Sequence, residues 1–183
     1  NEKVKTNTVV KSKKSPFLAF LYSLAVPGLG HVYANRFETG KYFMIIEAAA
    51  WITYGVFSAY GNWLLDDAYS FSVTYAGVTL EGKEKDDKFF TDIANYNNVD
   101  EYNDEKLRFG EYNDLYDPNA GYGFYWDSPS NRLQYQEDKF AGDRTLNDRL
   151  FVVGAIVINH IVSAISAVFA ANSYNDDLKK SSG

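Results

Sequence analysis

The chain has 183 residues, with 18 Lys and Arg against 24 Asp and Glu and no cysteine, a size that fits one domain or a membrane domain carrying one soluble insert. The net charge of −6 argues against nucleic acid as a partner, because phosphate binding needs a basic surface. The missing cysteine removes disulfides, thiolate metal sites, thiol nucleophiles and a lipidated cysteine anchor.

Residues 1–15 form a basic tail, with Lys3, Lys5, Lys11, Lys13 and Lys14 against Glu2. Such a tail is drawn to anionic lipid head groups by about 1 kcal/mol per lysine, and a flexible solvated terminus fits it equally. The start at Asn1 rather than Met leaves room for a removed signal peptide or a trimmed chain. Ser15-Pro16 supplies an N-cap and a first-turn proline, so a helix is predicted to begin there. The apolar run that follows, Phe17 to Val26, has ten residues and meets Pro27-Gly28-Leu29-Gly30, where the helix should break. Two arrangements stay open for it: a kinked third span, or a re-entrant or interfacial helix that turns back at the break. Irregular backbone facing lipid is costly, so a turn at depth must be covered by protein or lie near the interface.

His31 to Phe37 carries polar and aromatic groups suited to the head-group region. Tyr42 to Leu65 is then twenty-four residues with one charge, Glu47, and it contains Trp51 and Trp63. It is long enough to cross a bilayer, and residues 16–65 are read as the first helix, the turn and a transmembrane helix. Asp66-Asp67 marks the exit from lipid.

Residues 66–127 are predicted to be a soluble insert rich in Tyr, Asn and acidic groups. Between Asp66 and Arg149 acids outnumber bases 19 to 9. The aromatics argue against plain disorder. Ser70 to Leu80 alternates enough to be a strand or an extended loop, short helices are expected near 86–96 and 100–109, and Tyr116 to Tyr125 holds the turn formers. Asp127-Ser128-Pro129 starts another helix. Residues 128–172 are read as one long helix that begins outside the membrane and ends as a span, with Gly142 the place for a bend. The span is Leu150 to Ala171, twenty-two residues whose only ionisable group is His160. At about 1.5 Å per residue it covers roughly 30 Å, the hydrocarbon thickness. Residues 173–183 are a tail, expected to fray from Asp176 to Gly183.

The fold class is therefore mainly α: a membrane helical hairpin with a short re-entrant, interfacial or third helix, and an acidic insert. Basic residues outside the insert lie in three short pieces, the N-terminal tail, Arg36 with Lys41, and Lys179 with Lys180. If the first apolar run turns back, all three share a side, which the positive-inside rule makes cytoplasmic, with the insert periplasmic. A removed signal peptide would place Asn1 outside and restore three spans.

Glu47, Asn159 and His160 are the candidate intramembrane polar contact, since ionisable groups in lipid usually face the bundle interior. Antiparallel pairing brings Glu47 and His160 within about two helical turns in depth. A polar lock between spans, a proton relay or ligand contact, and snorkelling of Glu47 are the competing roles. Pro27, Gly28 and Gly30 are the structural turn. Asp114, Asp117 and Asn119 lack EF-hand spacing, His31 has no second ligand nearby, and no P-loop, dinucleotide fingerprint, zinc-protease or serine-hydrolase motif is present. No catalytic residue, metal or cofactor is expected.

Ser15-Pro16, the apolar run, Pro27-Gly28-Leu29-Gly30-His31-Val32-Tyr33 and Gly40-Lys41 together resemble a family of bacterial envelope proteins of unknown function. That family has a Ser-Pro start, a PGxGQxY-like turn and a following hydrophobic hairpin; TM2-type domains have a comparable, more distant turn. Asn131 to Leu133 through Asn159 to Ile165 resembles the terminal helix of its relatives. The likeness covers residues 15–45 and 128–170, with His31 in place of the family's usual Gln. It implies membrane location and fold and no catalytic role. The expectation is a non-enzymatic inner-membrane protein, an accessory or structural subunit whose partners are lipids and other membrane proteins. Transport or ligand binding through Glu47 and His160 is the alternative.

Overall fold

The computed structural model describes residues 12–82 and 86–181. Most of the expected basic tail, residues 1–11, lies outside them. Helices run in the order α1 (Pro16–Ala25), α2 (Leu29–Tyr33), α3 (Phe37–Ala76), α4 (Asp87–Asn95), α5 (Val99–Phe109) and α6 (Pro129–Ser181), with short 3-10 turns at Tyr112–Asp114 and Pro118–Ala120. The fold is mainly helical, and among the described residues extended pairing is limited to one isolated bridge, Asn98 to Tyr125. Among the described residues two helices, α3 and α6, are long and apolar enough to cross a membrane.

Local chemistry sets the helix starts. Ser15 accepts a hydrogen bond from the Leu18 amide, and Pro16 fills the first turn. Asp86 caps α4 through the Phe89 amide, and Asn98 caps α5 through the Glu101 amide. Ser128 accepts from the Asn131 amide ahead of α6. Each such cap is worth about 1 kcal/mol relative to alanine.

Two expectations are corrected. Ser70 to Ala76 is helical, not a strand, and only the stretch after Gly77 is extended or irregular. Ser70 and Thr74 return their hydroxyls to carbonyls four residues back, so neither competes with the helix, which ends at Gly77 in the left-handed region. Residues 173–181 do not fray; they extend α6. Asn175 exchanges two 2.8 Å hydrogen bonds with the Lys14 backbone, and Asp177 pairs with Arg36. These tertiary ties hold a segment whose own composition would let it unravel.

The chain divides into two compact units, residues 1–54 with 150–183, and residues 55–149. In the first, α1 and α2 pack against each other. The Tyr33 hydroxyl accepts from the Ser15 amide at 3.0 Å, so the chain returns to the start of α1 after Pro27. Its buried residues are mostly small: Ala19, Ser23, Gly30, Ala34, Ser163, Ala164, Ala167 and Ala171. Large apolar side chains stand outside, with Phe151 80% exposed and Ile52 67% exposed.

The second unit is filled by aromatics. Phe89, Tyr102 and Tyr135 are fully buried, with Phe90, Ile93, Phe124 and Trp126 around them. Buried polar tips find partners: the Trp126 indole donates to the Ile93 carbonyl at 2.7 Å, and the Tyr135 hydroxyl to the Phe90 carbonyl at 2.9 Å. The Tyr125 and Asp127 amides bond the Ala76 and Tyr75 carbonyls, tying the loop ahead of α6 to the end of α3. α6 is unbroken at Gly142, where the missing side chain admits Leu65; a Cβ there would lie 2.8 Å from Leu65 Cδ2.

Candidate functional site

The site grows from the break after α1. In a continuous helix the Gly28 amide would bond the Leu24 carbonyl. Pro27 has no amide to continue the ladder, and Gly28 adopts φ 89°, which favours glycine. Both freed groups turn to α6. The Gly28 amide donates to Ser163 Oγ at 2.7 Å. The Leu24 carbonyl accepts from His160 Nδ1 at 2.7 Å. His160 and Ser163 are three apart on one helix face, so a single stripe of α6 completes the interrupted ladder on both sides. Within the turn, the Gly30 amide donates to Ser23 Oγ at 3.0 Å. A Cβ on Gly30 would strike the Ala19 carbonyl oxygen and come within 2.8 Å of Ala167 Cβ, so this position requires glycine for space.

Glu47 stands beside this splice. Its carboxyl group accepts from the Trp51 indole at 2.8 Å and from Asn159 Nδ2 at 3.0 Å, and it lies 3.2 Å from His160 Nε2. Asn159 uses its second amide hydrogen on the Phe43 carbonyl at 3.1 Å. The three residues expected to meet, Glu47, Asn159 and His160, do so in the structure, and α1 joins them through Leu24. Both carboxylate oxygens and both imidazole nitrogens are engaged by protein groups. This favours a clamp that holds three helices over an open ligand site.

Pro27, Gly28 and Gly30 are all buried at the turn. His31, next in sequence, is fully buried, stacks on Phe43 with centroids 5.1 Å apart and meets Ser166 Oγ at 2.9 Å. Its Nδ1 has no hydrogen-bond partner, which suits a neutral ring that donates from Nε2. Ser166, Ser23 and the indole of Trp51 are the contributors that sequence reading misses. The His160-to-Ser163 spacing is visible in the sequence, but their backbone partners are not.

A second cluster lies in residues 55–149. Lys88 Nζ bonds Asp92 at 2.9 Å and the Tyr102 hydroxyl at 2.7 Å, and it sits 5.2 and 5.1 Å from the Tyr102 and Tyr116 ring centroids. Tyr102, Tyr116 and Tyr122 stack in series, at 4.6 and 5.1 Å. Burial works against the Lys88 charge, but the bonds to Tyr102 and Asp92 outweigh it and push its pKa up. Burial, then the Asp92 carboxylate, push the Tyr116 phenol up. The Glu105 carboxylate, helped by burial, holds Tyr96 at about 12. Lysine stays charged and these phenols stay neutral near neutral pH. Asp117 is spent on the Asn119 amide at 2.9 Å. Among the described residues no group of three or more His, Asp or Glu side chains is placed to hold a metal.

Comparison with protein-family models, with curated proteins and with solved structures gives no match.

Proposed function

We propose that this chain is a non-enzymatic integral protein of a bacterial inner membrane, an accessory or structural subunit working through protein contacts of its insert and helices. The observation that carries this reading is the bare apolar surface of the long helices. The most apolar eighteen residues of α3 include no buried residue. Water does not tolerate so large an exposed apolar surface, whereas lipid or a partner helix covers it. The small-residue interior of the same unit supports lipid as the solvent, because helices in bilayers associate through close packing of small side chains. The resemblance of the Ser15-Pro16 start and the Pro27 to Tyr33 turn to a bacterial envelope family points the same way.

Two spans with both termini cytoplasmic fit best. The bond from Ser15 to Tyr33 returns the chain to one level, and Lys14 and Arg36 each contact the end of α6. Ten residues in α1 reach about 15 Å, half a hydrocarbon core. The insert then stands in the periplasm. Its acid excess favours a partner with a basic face, and Phe109 and Tyr112 remain exposed on it. The clamped Glu47–Asn159–His160 cluster supports a structural role for the helices.

Alkaline extraction tests the membrane assignment: the protein stays in the pellet, and a chain that is monodisperse in plain buffer overturns the reading. Protease added to intact and to opened cells tests the sidedness, with insert cleavage expected only once the outer barrier is opened. Purification in mild detergent tests the subunit role. A second membrane protein is expected at fixed stoichiometry, and a lone chain removes the role.

A further inference from the structure

The donor and acceptor roles around His160 imply more than a fixed clamp. A backbone carbonyl can only accept, so the contact with the Leu24 carbonyl at 2.7 Å requires a proton on Nδ1. The other ring nitrogen lies 3.2 Å from the Glu47 carboxyl. That contact needs a proton too, either on Nε2 or on the carboxyl. A singly protonated imidazole facing two pure acceptors can serve only one of them.

We infer that Glu47 and His160 hold one proton in common, and that this proton fastens the C-terminal end of α1 to α6. The inference does not depend on an accessory-subunit role; it concerns a conformational switch built into the helical unit. Remove the proton and His160 must release either the Leu24 carbonyl or Glu47. In the first case α1 loses the acceptor half of its splice to α6. In the second, the Glu47 carboxylate keeps only the Trp51 and Asn159 bonds and loses its imidazole donor; a bond to a carboxylate is worth more than one to a neutral carbonyl, so the first is the expected outcome. Add a second proton and both contacts survive, because a fully protonated ring donates twice and a protonated Glu47 still accepts. The fastening is therefore sensitive to alkali and tolerant of acid.

No other charged side chain competes at the pair among the described contacts. On α3 the Trp51 indole also bonds Glu47, with the Tyr54 ring 5.9 Å from that of Trp51, and Lys41 is paired with Glu38. On α6 no charged residue lies between Arg149 and Asp176 except His160 itself. α1 has no titratable side chain but Tyr22, whose ring packs edge-on against Tyr33. On α2, His31 is held by Ser166, about 9 Å further along α6.

The chain has no cysteine, so introduced pairs report cleanly. Nitroxide labels on Leu21→Cys and Val157→Cys, both exposed positions, read the distance between the C-terminal half of α1 and α6 in detergent. In the otherwise native background a single narrow distance is expected at neutral and acidic pH, with its loss as the pH is raised. Glu47→Gln keeps the ring contact without the titratable proton, because its amide nitrogen donates to the neutral ring, at the cost of the Trp51 indole bond to the same atom. It should hold the narrow distance across the whole range. His160→Ala should show the broad distribution at every pH, and should it fail to fold, the Glu47→Gln comparison still decides. A native distance that never changes with pH, a Glu47→Gln variant with the native transition, or one that is broad throughout overturns the inference.

Discussion

Residues 16–54 with 150–181 bury mostly their smallest side chains, whereas residues 55–149 bury their largest. Ala19, Gly30, Ser163 and Ala167 line the first interior, and Phe89, Tyr102, Trp126 and Tyr135 line the second. The contrast separates two sources of cohesion. Burying aromatic area against water stabilises by about 25 cal/mol per Å², so a unit held that way puts large rings inside. Where the surroundings are as apolar as the interior, that gain vanishes, and close approach and hydrogen bonding must hold the helices. The polar groups are placed accordingly. In the first unit they lie between helices at the Leu24, Glu47, Asn159 and His160 contacts. In the second they ring an aromatic core.

The largest expected effect is a test of close approach. Gly30→Leu has no room between Ala19, Ser23 and Ala167, so it should cost more than about 4 kcal/mol and abolish recovery of monodisperse protein from mild detergent. Gly123→Ala, whose new Cβ would meet Pro118 at 3.5 Å, should be recovered normally. A Gly30→Leu protein with native yield and melting breaks the small-residue account.

Phe89→Ala should lower stability by about 3–5 kcal/mol, read as a shifted denaturant midpoint of the near-ultraviolet signal. Ile158→Ala, at a side chain 63% exposed, should move the same midpoint by less than about 0.5 kcal/mol in detergent. Equal shifts would erase the distinction between the two interiors.

Next comes Lys139, which is 1% exposed and bonded to Asp143 at 2.6 Å. Asp143→Ala strands a buried cation and should cost about 3 kcal/mol, measured by thermal melting. Lys139→Met replaces the cation with an apolar chain and should cost less.

A smaller effect is alkaline. Tyr96 has its folded pKa raised from 10.0 to about 12 by the Glu105 carboxylate and burial. Its contribution is complete below pH 10 and is lost as the pH climbs through about 12. Tyr96→Phe should flatten the stability-against-pH curve in that window, and an unchanged curve assigns the alkaline loss elsewhere. The smallest effect belongs to Asp176→Ala at the exposed Lys179 pair, under about 0.5 kcal/mol by melting.

Much of the helical framework was legible in the chain itself. Ser15-Pro16, the Pro27-Gly28 break and Ser128-Pro129 announce boundaries through chemistry confined to a few neighbours. Helices expected near 86–96 and 100–109 fall at Asp87–Asn95 and Val99–Phe109. Ser70 to Ala76 was misread because alternation over so few residues fits either a strand or a helix with Tyr69 and Phe71 turned to an aromatic core. The end of α6 was misread because its ties, Lys14 to Asn175 and Arg36 to Asp177, join the two ends of the chain. Composition also did not reveal which tyrosines would fill the core: Tyr102 in the insert and Tyr135 on α6 are fully buried.

Sequence alone determined that two long apolar helices exist, where the first is preceded by a broken one, and that Glu47, Asn159 and His160 are the polar groups within them. Those properties depend on composition and on caps a few residues apart. Tertiary structure decided what the polar groups do. Leu24 and His160 are 136 residues apart, and Glu47 and His160 are 113 apart, and no local pattern reveals which freed carbonyl an imidazole will meet. That choice is made only when helices pack closely enough for each unsatisfied backbone group to find its partner.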